Sequence, residues 1–317
     1  MSDERPEDQP EIHPEVQPEK YAEDRPNEGY TTSRRAMLAL TALGAAGMVF
    51  APTAVMAAET AVDDTSGEDT GAIGADDGAL AACGATVYPH SEIWGAPTYY
   101  EPTGTAASFR YNATFYNRLE TWLAFWYANT PVSWLTPLRV WSYGCYVNRN
   151  DGCVSMHNYG RAFDISRIYA TVNGSLSRVF YARYDLWRTL TGSALTTTRK
   201  RYWATAASIH YHFKYVLTYA YNSAHWNHIH MDNQVSGGGN STFSTGSRSQ
   251  IVHVQAVCTY IWGYATTIDG IWGPQTDGNS RRVLSRIGRS GGLTTSQTNW
   301  LEFNRTSTRF GTGRQAY

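Results

Sequence analysis

Two histidine-containing stretches, about sixty residues apart, decide how the central part of the chain folds. The first reads SMHNYGRAFD over residues 155–164, and the second reads HWNHIHMD over residues 225–232. If the second stretch is a β-strand, side chains two residues apart lie on the same face, so His228, His230 and Asp232 point the same way. Two imidazoles can then reach a single site.

Histidine and aspartate in this arrangement are typical of a metal site. Catalytic zinc takes three protein ligands and keeps one position open, and mixed His and Asp ligation suits it. We therefore expect His157, Asp164 and His230 to be the metal ligands, with His228 lining the site. Gly160 gives the chain the freedom to turn tightly between the first ligand and the strand that follows.

The hydrophobic pattern around these stretches predicts an α+β domain. Apolar side chains recur at helical intervals between residues 107 and 129, and Pro131 ends this predicted helix. The pattern predicts strands at residues 138–143, 161–168 and 228–232. It predicts helices or mixed segments at residues 179–190 and 202–219.

The N-terminal part of the chain has the composition of an export segment. Residues 1–30 are rich in Pro, Glu and Asp, and we expect a disordered acidic extension. Residues 31–58 hold two arginines, an uncharged apolar run and small residues at the end, which resembles a twin-arginine signal peptide. The alternative is an uncleaved membrane anchor, although the run is short for one. Residues 59–83 are expected to be an acidic flexible leader, with no membrane span after cleavage.

A run rich in Gly and Ser over residues 236–249 predicts a flexible linker. It separates a predicted domain at residues 84–235 from a smaller one at residues 250–317.

The folded part is basic, since residues 82–317 carry 21 Lys and Arg against 10 Asp and Glu. This balance suits an anionic partner such as cell wall, and an ordinary solvated surface fits it equally well. No nucleic acid is expected, because the sequence shows no stripe of arginine and aromatic residues.

The four cysteines follow the predicted signal peptide, so we expect them outside the cytoplasm, in an oxidising compartment where disulfides persist. Short spacing favours a disulfide between Cys145 and Cys153. Cys83 and Cys258 either pair with each other or stay free. A zinc cluster of four cysteines is not expected, since no Cys-x-x-Cys unit occurs.

The two histidine stretches together carry a resemblance. The pattern Ser-x-His-x-x-Gly-x-Ala-x-Asp, followed by His-x-His, resembles the zinc peptidases that include D-alanyl-D-alanine carboxypeptidases, lysostaphin-type enzymes and hedgehog signalling domains. The chain is similar in particular to the extensin-like C-terminal domain family, because Tyr143-Gly144-Cys145 precedes the first motif and Asp232 follows the second. The resemblance implies a zinc-peptidase fold with Zn²⁺ on His157, Asp164 and His230.

The same resemblance assigns catalytic positions, and one of them departs from the family. It implies that His228 assists at the transition state. Three residues before the last ligand, where the family carries an acidic general base, this chain has Asn227, whose amide cannot accept a proton. Asp232 then remains as a candidate base, or it orients a ligand imidazole instead. Arg139 and Arg149 are candidates for binding substrate.

Near the C-terminus, the run DGIWGPQT over residues 269–276 resembles a turn of the three-helix peptidoglycan-binding domain. The resemblance implies an all-α three-helix module at residues 250–317, with Thr276 as a helix cap and peptidoglycan as partner. The alternative is a helical appendage that only stabilises the protein.

These features together predict a secreted or cell-wall-associated hydrolase, exported by the twin-arginine route. It would be a zinc metallopeptidase acting on peptidoglycan peptide stems, of the carboxypeptidase or endopeptidase class. The alternative, which Asn227 favours, is a non-catalytic wall-binding protein that retains the zinc fold.

Overall fold

A computed structural model of the chain describes residues 83–148, 152–234 and 239–317. The predicted acidic extension, signal peptide and all of the leader except Cys83 lie outside the described residues. The strands are β1 (Tyr88–His90), β2 (Glu92–Ile93), β3 (Ala96–Tyr100), β4 (Thr105–Ala106), β5 (Phe109–Tyr111), β6 (Leu135–Ser142), β7 (Ala162–Val172), β8 (Ser175–Tyr181), β9 (Tyr215–Leu217) and β10 (Ile229–Asp232). The helices are α1 (Ala113–Ala128), α2 (Tyr184–Trp187), α3 (Gly192–His212), α4 (Arg248–Tyr260), α5 (Pro274–Arg286) and α6 (Gln297–Thr312).

The longest strand, β7, organises the main sheet. The strands run in the order β2-β3-β6-β7-β10-β9, while β4 pairs with β3 and β8 pairs with β7. Strand β6 lies along one edge of β7, and β10 and β8 pair with successive parts of the other edge. Only the pairing of β3 with β6 is parallel in this sheet. The chain is therefore mixed α+β, as the sequence predicts.

Helices α1 and α3 pack together and cover the apolar face of the sheet. Asn112 caps α1 by accepting hydrogen bonds from the amides of Thr114 and Phe115. The buried tryptophans of α1 find polar partners on α3, since the indole of Trp122 donates to the Ser208 hydroxyl at 3.0 Å. Satisfied indole N–H groups allow these large rings to be fully buried. No helix in the described ranges is long and apolar enough to cross a membrane.

The C-terminal residues form three helices, α4 to α6, and pack directly on α3. Gly311 of α6 permits the closest approach, because an added Cβ there would lie 2.8 Å from the Cβ of Ala204. Between the two segments, Ser241 is buried and accepts a hydrogen bond from the Trp300 indole. All described residues belong to one compact unit with a shared hydrophobic core. The predicted linker thus separates two segments whose cores are continuous.

Several predicted elements have different types or bounds. The segment 179–190 contains the end of β8 and the short helix α2, and the segment 202–219 is the end of α3 followed by β9. Helix α1 begins six residues later than predicted, because Asn112 caps it and Phe109–Tyr111 pair with β1 as a strand. Apolar residues at short intervals are compatible with either a helix or a strand, and pairing partners decided between them.

The predicted disulfide between Cys145 and Cys153 is wrong. Cys153 is bonded to Cys83, 70 residues earlier, and Cys145 and Cys258 are free and buried. Cys145 follows β6 and is fully buried, whereas Cys153 is partly exposed, so the two side chains have different environments in spite of their spacing. The observed disulfide is compatible with an extracellular location.

Candidate metal centre

Local geometry brings the first histidine into place. His157 lies on a short 3-10 helix, Met156–Tyr159, which Ser155 caps by accepting the His157 amide. The helix ends at Gly160, whose φ of 62° is left-handed. A Cβ at this position would lie 2.6 Å from a methyl of Val87 and 2.9 Å from the amide nitrogen of Asn112. Glycine is therefore required here, which confirms the turn predicted from the sequence.

Strand pairing brings the other two predicted ligands together. Asp164 on β7 and His230 on β10 are directly opposite each other in the antiparallel ladder. The Nδ1 atom of His230 lies 2.9 Å from Asp164 Oδ1, and the Nε2 atom of His157 lies 3.2 Å from Asp164 Oδ2. The two imidazole nitrogens that face each other, His157 Nε2 and His230 Nδ1, are 3.3 Å apart.

These three side chains form a group that could bind a metal ion. One donor atom from each of His157, Asp164 and His230 lies within 4.8 Å of the other two, and both histidines are buried. The Nδ1 atom of His157 is within hydrogen-bonding distance of the Cys145 carbonyl oxygen. Donation from Nδ1–H leaves the Nε2 lone pair directed at the site, as a metal ligand requires. Two nitrogen donors and one carboxylate suit zinc.

Asp232 lies behind His230 rather than beside the three donor atoms. Its Oδ2 is 2.9 Å from His230 Nε2, the ring nitrogen on the side away from Asp164, and its Oδ1 accepts the amide of Gln234. A carboxylate in this position fixes the ring orientation and increases the basicity of the ligand nitrogen. The geometry favours an orienting role for Asp232 over a role as proton acceptor.

Opposing effects determine the charge states of Asp164 and His230. Burial raises the pKa of Asp164, but the charges and hydrogen bonds of His157, His228 and His230 outweigh it and hold the pKa well below its usual value. Burial lowers the pKa of His230, but Asp164 and Asp232 outweigh it and raise the pKa to about 10. Without a metal, the site therefore holds a proton that an incoming cation must displace.

His228 lies at the edge of the group, and Asn227 orients it. The Nε2 atom of His228 is 3.6 Å from Asp164 Oδ1, and its Nδ1 is 2.6 Å from the amide oxygen of Asn227. Because an amide oxygen only accepts, Nδ1 carries the proton. In the neutral ring, Nε2 is then the basic atom and faces the site.

A further histidine belongs to this site, and the sequence analysis missed its role. His225 is buried, with its ring centre 5.1 Å from that of His228 and 6.0 Å from that of His230. Its Nδ1 lies 2.5 Å from the amide oxygen of Asn222. Burial, followed by the neighbouring imidazoles, lowers the pKa of His225 to about 2, so it is a neutral wall of the site. The signal in the sequence was an asparagine near each of these two histidines.

Cys145 lies close to the site but does not supply a thiolate. Burial raises the pKa of its thiol well above the usual value, and the negative charge of Asp164 raises it further.

Of the two candidate substrate arginines, Arg139 lies over the ring of Tyr99 at 5.4 Å, and Arg149 lies outside the described residues. Arg139 is not among the contacts of the three predicted ligands described above.

The turn at residues 269–276 is held by one glutamine. The side-chain oxygen of Gln255 accepts the amides of Asp269 and Gly270, and its nitrogen donates to the Thr276 hydroxyl. Thr276 is not a helix cap, because α5 already begins at Pro274 after Gly273. An open cleft of about 410 Å³ borders the turn and is lined in part by Ile271 and Trp272.

No protein-family model, curated protein or solved structure matches this chain.

Proposed function

We propose that the chain is an exported zinc metallopeptidase that hydrolyses the peptide stems of peptidoglycan. The observation that carries the proposal is the convergence of His157 Nε2, Asp164 and His230 Nδ1 in one group, built on paired strands of an α+β sheet. The sequence motifs that resemble zinc peptidases supply the substrate class.

The metal has a defined chemical part in this proposal. His157, Asp164 and His230 would hold a zinc ion, which would supply Lewis-acid polarisation of a scissile carbonyl and increase the acidity of water. The chain's own residues then position the substrate and move the proton. Asp232 keeps the His230 ring in orientation through its hydrogen bond at 2.9 Å.

His228 is the residue best placed to move a proton. Its Nδ1–H is fixed on Asn227, which leaves Nε2 as a base facing the site at 3.6 Å from Asp164 Oδ1. A histidine near neutral pH is suited to take a proton from water and return it to the leaving amine. Asn227 thus has a purpose in this chain, since it fixes the tautomer of the base instead of acting as one.

Mass spectrometry of defined muropeptides tests the proposal. The zinc-loaded wild type is expected to shorten or split the stem, and His228→Gln is expected to lower the rate by about 10²- to 10⁴-fold with zinc retained. His90→Gln is a matched control, because His90 stacks on Tyr116 at 3.6 Å and lies outside the site. Absence of product from fully zinc-loaded wild type would contradict a peptidase function.

The second candidate is a non-catalytic wall-binding protein, which the amide at Asn227 favours because the resembled family has an acid there. It predicts zinc binding and co-sedimentation with peptidoglycan, but no product from any stem. Asn227→Asp separates the two functions. A gain of about 10²-fold or more would show a peptidase in which an acid at position 227 is a stronger base than His228, while no activity in either form would support the binding protein.

The three C-terminal helices are proposed to add affinity for the wall. Ile271 is 68% exposed beside Trp272, so this turn presents apolar surface at the cleft. Ile271→Asp in the full chain is expected to reduce co-sedimentation with peptidoglycan. Unchanged sedimentation would identify the helices as a stabilising appendage.

A further inference from the structure

Four neighbouring strands place arginine and aromatic side chains in two adjacent rows. Register pairs Tyr99 with Trp141, Trp141 with Arg167, and Arg167 with Tyr181 across β3, β6, β7 and β8. The next row pairs Arg139 with Tyr169 and Tyr169 with Arg178. We call these seven residues the arginine-aromatic face, and all of them are partly or fully exposed.

Direct contacts join the members of this face. The rings of Tyr99 and Trp141 stack at 5.4 Å, and the Trp141 and Tyr169 rings are 5.9 Å apart. The Arg167 guanidinium lies 5.0 Å from the Trp141 ring, and the Arg178 guanidinium lies 3.6 Å from the Tyr181 ring. A guanidinium group over an aromatic ring can still donate hydrogen bonds in its own plane, as Arg167 does to Glu101.

Irregular strand pairing explains why this face is difficult to predict from the sequence. The register shifts between Trp141 and Ser142 against β7, and again between Ile168 and Tyr169 against β8. Such bulges break the alternation of two, so Arg178 and Tyr181 can meet although they are three residues apart. The expectation that no arginine and aromatic stripe exists was therefore wrong for the folded chain.

Neighbouring carboxylates balance only part of the positive charge of the face. Arg167 shares the buried carboxylate of Glu101 with Arg183. Among the described residues, no carboxylate forms an ion pair with Arg139 or Arg178. These two guanidinium groups give the face a net affinity for anions.

A chain of contacts connects the face with the metal centre. Trp141 of the face is two residues before Tyr143, whose backbone amide donates to the Asp164 carbonyl oxygen at 2.9 Å. The ring of Tyr143 is in turn 5.9 Å from that of His228. A polymer bound on the face can therefore extend a side branch to the metal centre.

We propose that the arginine-aromatic face binds the glycan strand of peptidoglycan that carries the stem being cleaved. This inference rests on the proposed function, which places the stem at the metal centre. The apolar faces of sugar rings fit the rings of Tyr99 and Trp141, and carboxylates of neighbouring stems fit Arg139 and Arg178. A glycan is favoured over nucleic acid because the stem is covalently attached to it, so the strand must pass close to the site.

Calorimetry on the metal-free full chain tests this binding without cleavage of the ligand. The probe is soluble, uncross-linked glycan strands with their stems attached. Arg139→Gln/Arg178→Gln is expected to lower the affinity about tenfold, as expected for the loss of two exposed charge contacts. Lys200→Gln/Arg201→Gln, on α3, is the control and removes the same charge, including an arginine that lies 5.1 Å from the Trp134 ring. The control is expected to bind like wild type.

Strands whose carboxylates have been amidated should bind wild type as weakly as intact strands bind the double variant. Equal affinity of both variants for intact strands would overturn the inference. Tighter binding of single-stranded DNA, lost in the Arg139→Gln/Arg178→Gln protein, would also overturn it and identify a nucleic-acid surface. Because no metal is present, the result is independent of hydrolysis. Cleavage of free stems combined with unimpaired strand binding by the double variant would contradict the face and leave the peptidase intact.

Discussion

In the part of the chain that the structure describes, two groups of buried histidines have opposite environments. In the metal centre, His157 and His230 face Asp164, and His230 also faces Asp232. At the packing surface between α3 and α4, the rings of His210 and His253 lie 4.1 Å apart. No ion pair joins this second group to a carboxylate of the described residues, and both ring nitrogens of His210 have no hydrogen-bond partner there.

The comparison shows that acidic neighbours, and not burial alone, determine what a buried histidine does. Burial lowers the pKa of His253 to about 3, and it lowers that of His210 well below the usual value. In the metal centre, burial acts in the same direction on His230, but two carboxylates raise its pKa to about 10. The first environment gives neutral core residues, and the second gives a site where a cation is stable.

The largest expected effect is on metal binding. His157→Ala/His230→Ala removes two of three ligands and should lower zinc affinity by at least about 10³-fold. The comparison variant, His210→Gln/His253→Gln, should retain wild-type affinity, because these rings have no carboxylate partner. Competition with a chromophoric chelator measures both. Full zinc retention in the first double variant would exclude the site as assigned.

Asp232→Asn should have a smaller effect on the same measurement. Loss of the carboxylate behind His230 is expected to lower zinc affinity about tenfold to a hundredfold, since the ligand ring loses orientation and basicity. Asp269→Asn is a matched control, because Asp269 is exposed and lies on the C-terminal turn. Equal affinity of wild type and Asp232→Asn would show that Asp232 does not support the ligand.

The helix-packing group predicts sensitivity to acid. A histidine whose folded pKa is depressed binds fewer protons in the folded state, so stability falls as pH decreases below the unfolded value near 6.5. For His253, with a folded pKa of about 3, the loss between pH 7 and pH 5 is about 2 kcal/mol. Urea unfolding of wild type and His253→Gln at both pH values measures it. The variant should lose less stability than wild type, and parallel losses would contradict this origin.

The sequence predicted that His157, Asp164 and His230 come together, because motif spacing and strand alternation are local properties. Asp164 and His230 lie opposite each other on paired strands, so the structure brings these two predicted side chains together. The disulfide prediction was wrong because the partner of Cys153 is Cys83, which lies 70 residues away, and only the tertiary fold brings the two together.

The remaining features depend on tertiary structure in the same way. His225 lines the site because the fold brings its ring close to the rings of His228 and His230, and the sequence does not specify this proximity. Within the arginine-aromatic face, the approach of Arg178 to Tyr181 depends on a β-bulge, which a strict period of two cannot predict. The continuity of the two cores depends on close helix contacts such as the one at Gly311.

Anomalous diffraction at the zinc edge, on crystals of the zinc-loaded chain, tests the central claim most directly. It locates the metal relative to both histidine groups in one experiment. The account predicts a single strong peak within bonding distance of His157 Nε2, His230 Nδ1 and the Asp164 carboxylate, at about 2.0 to 2.2 Å from each. A peak beside His210 and His253, or none at Asp164, would contradict it.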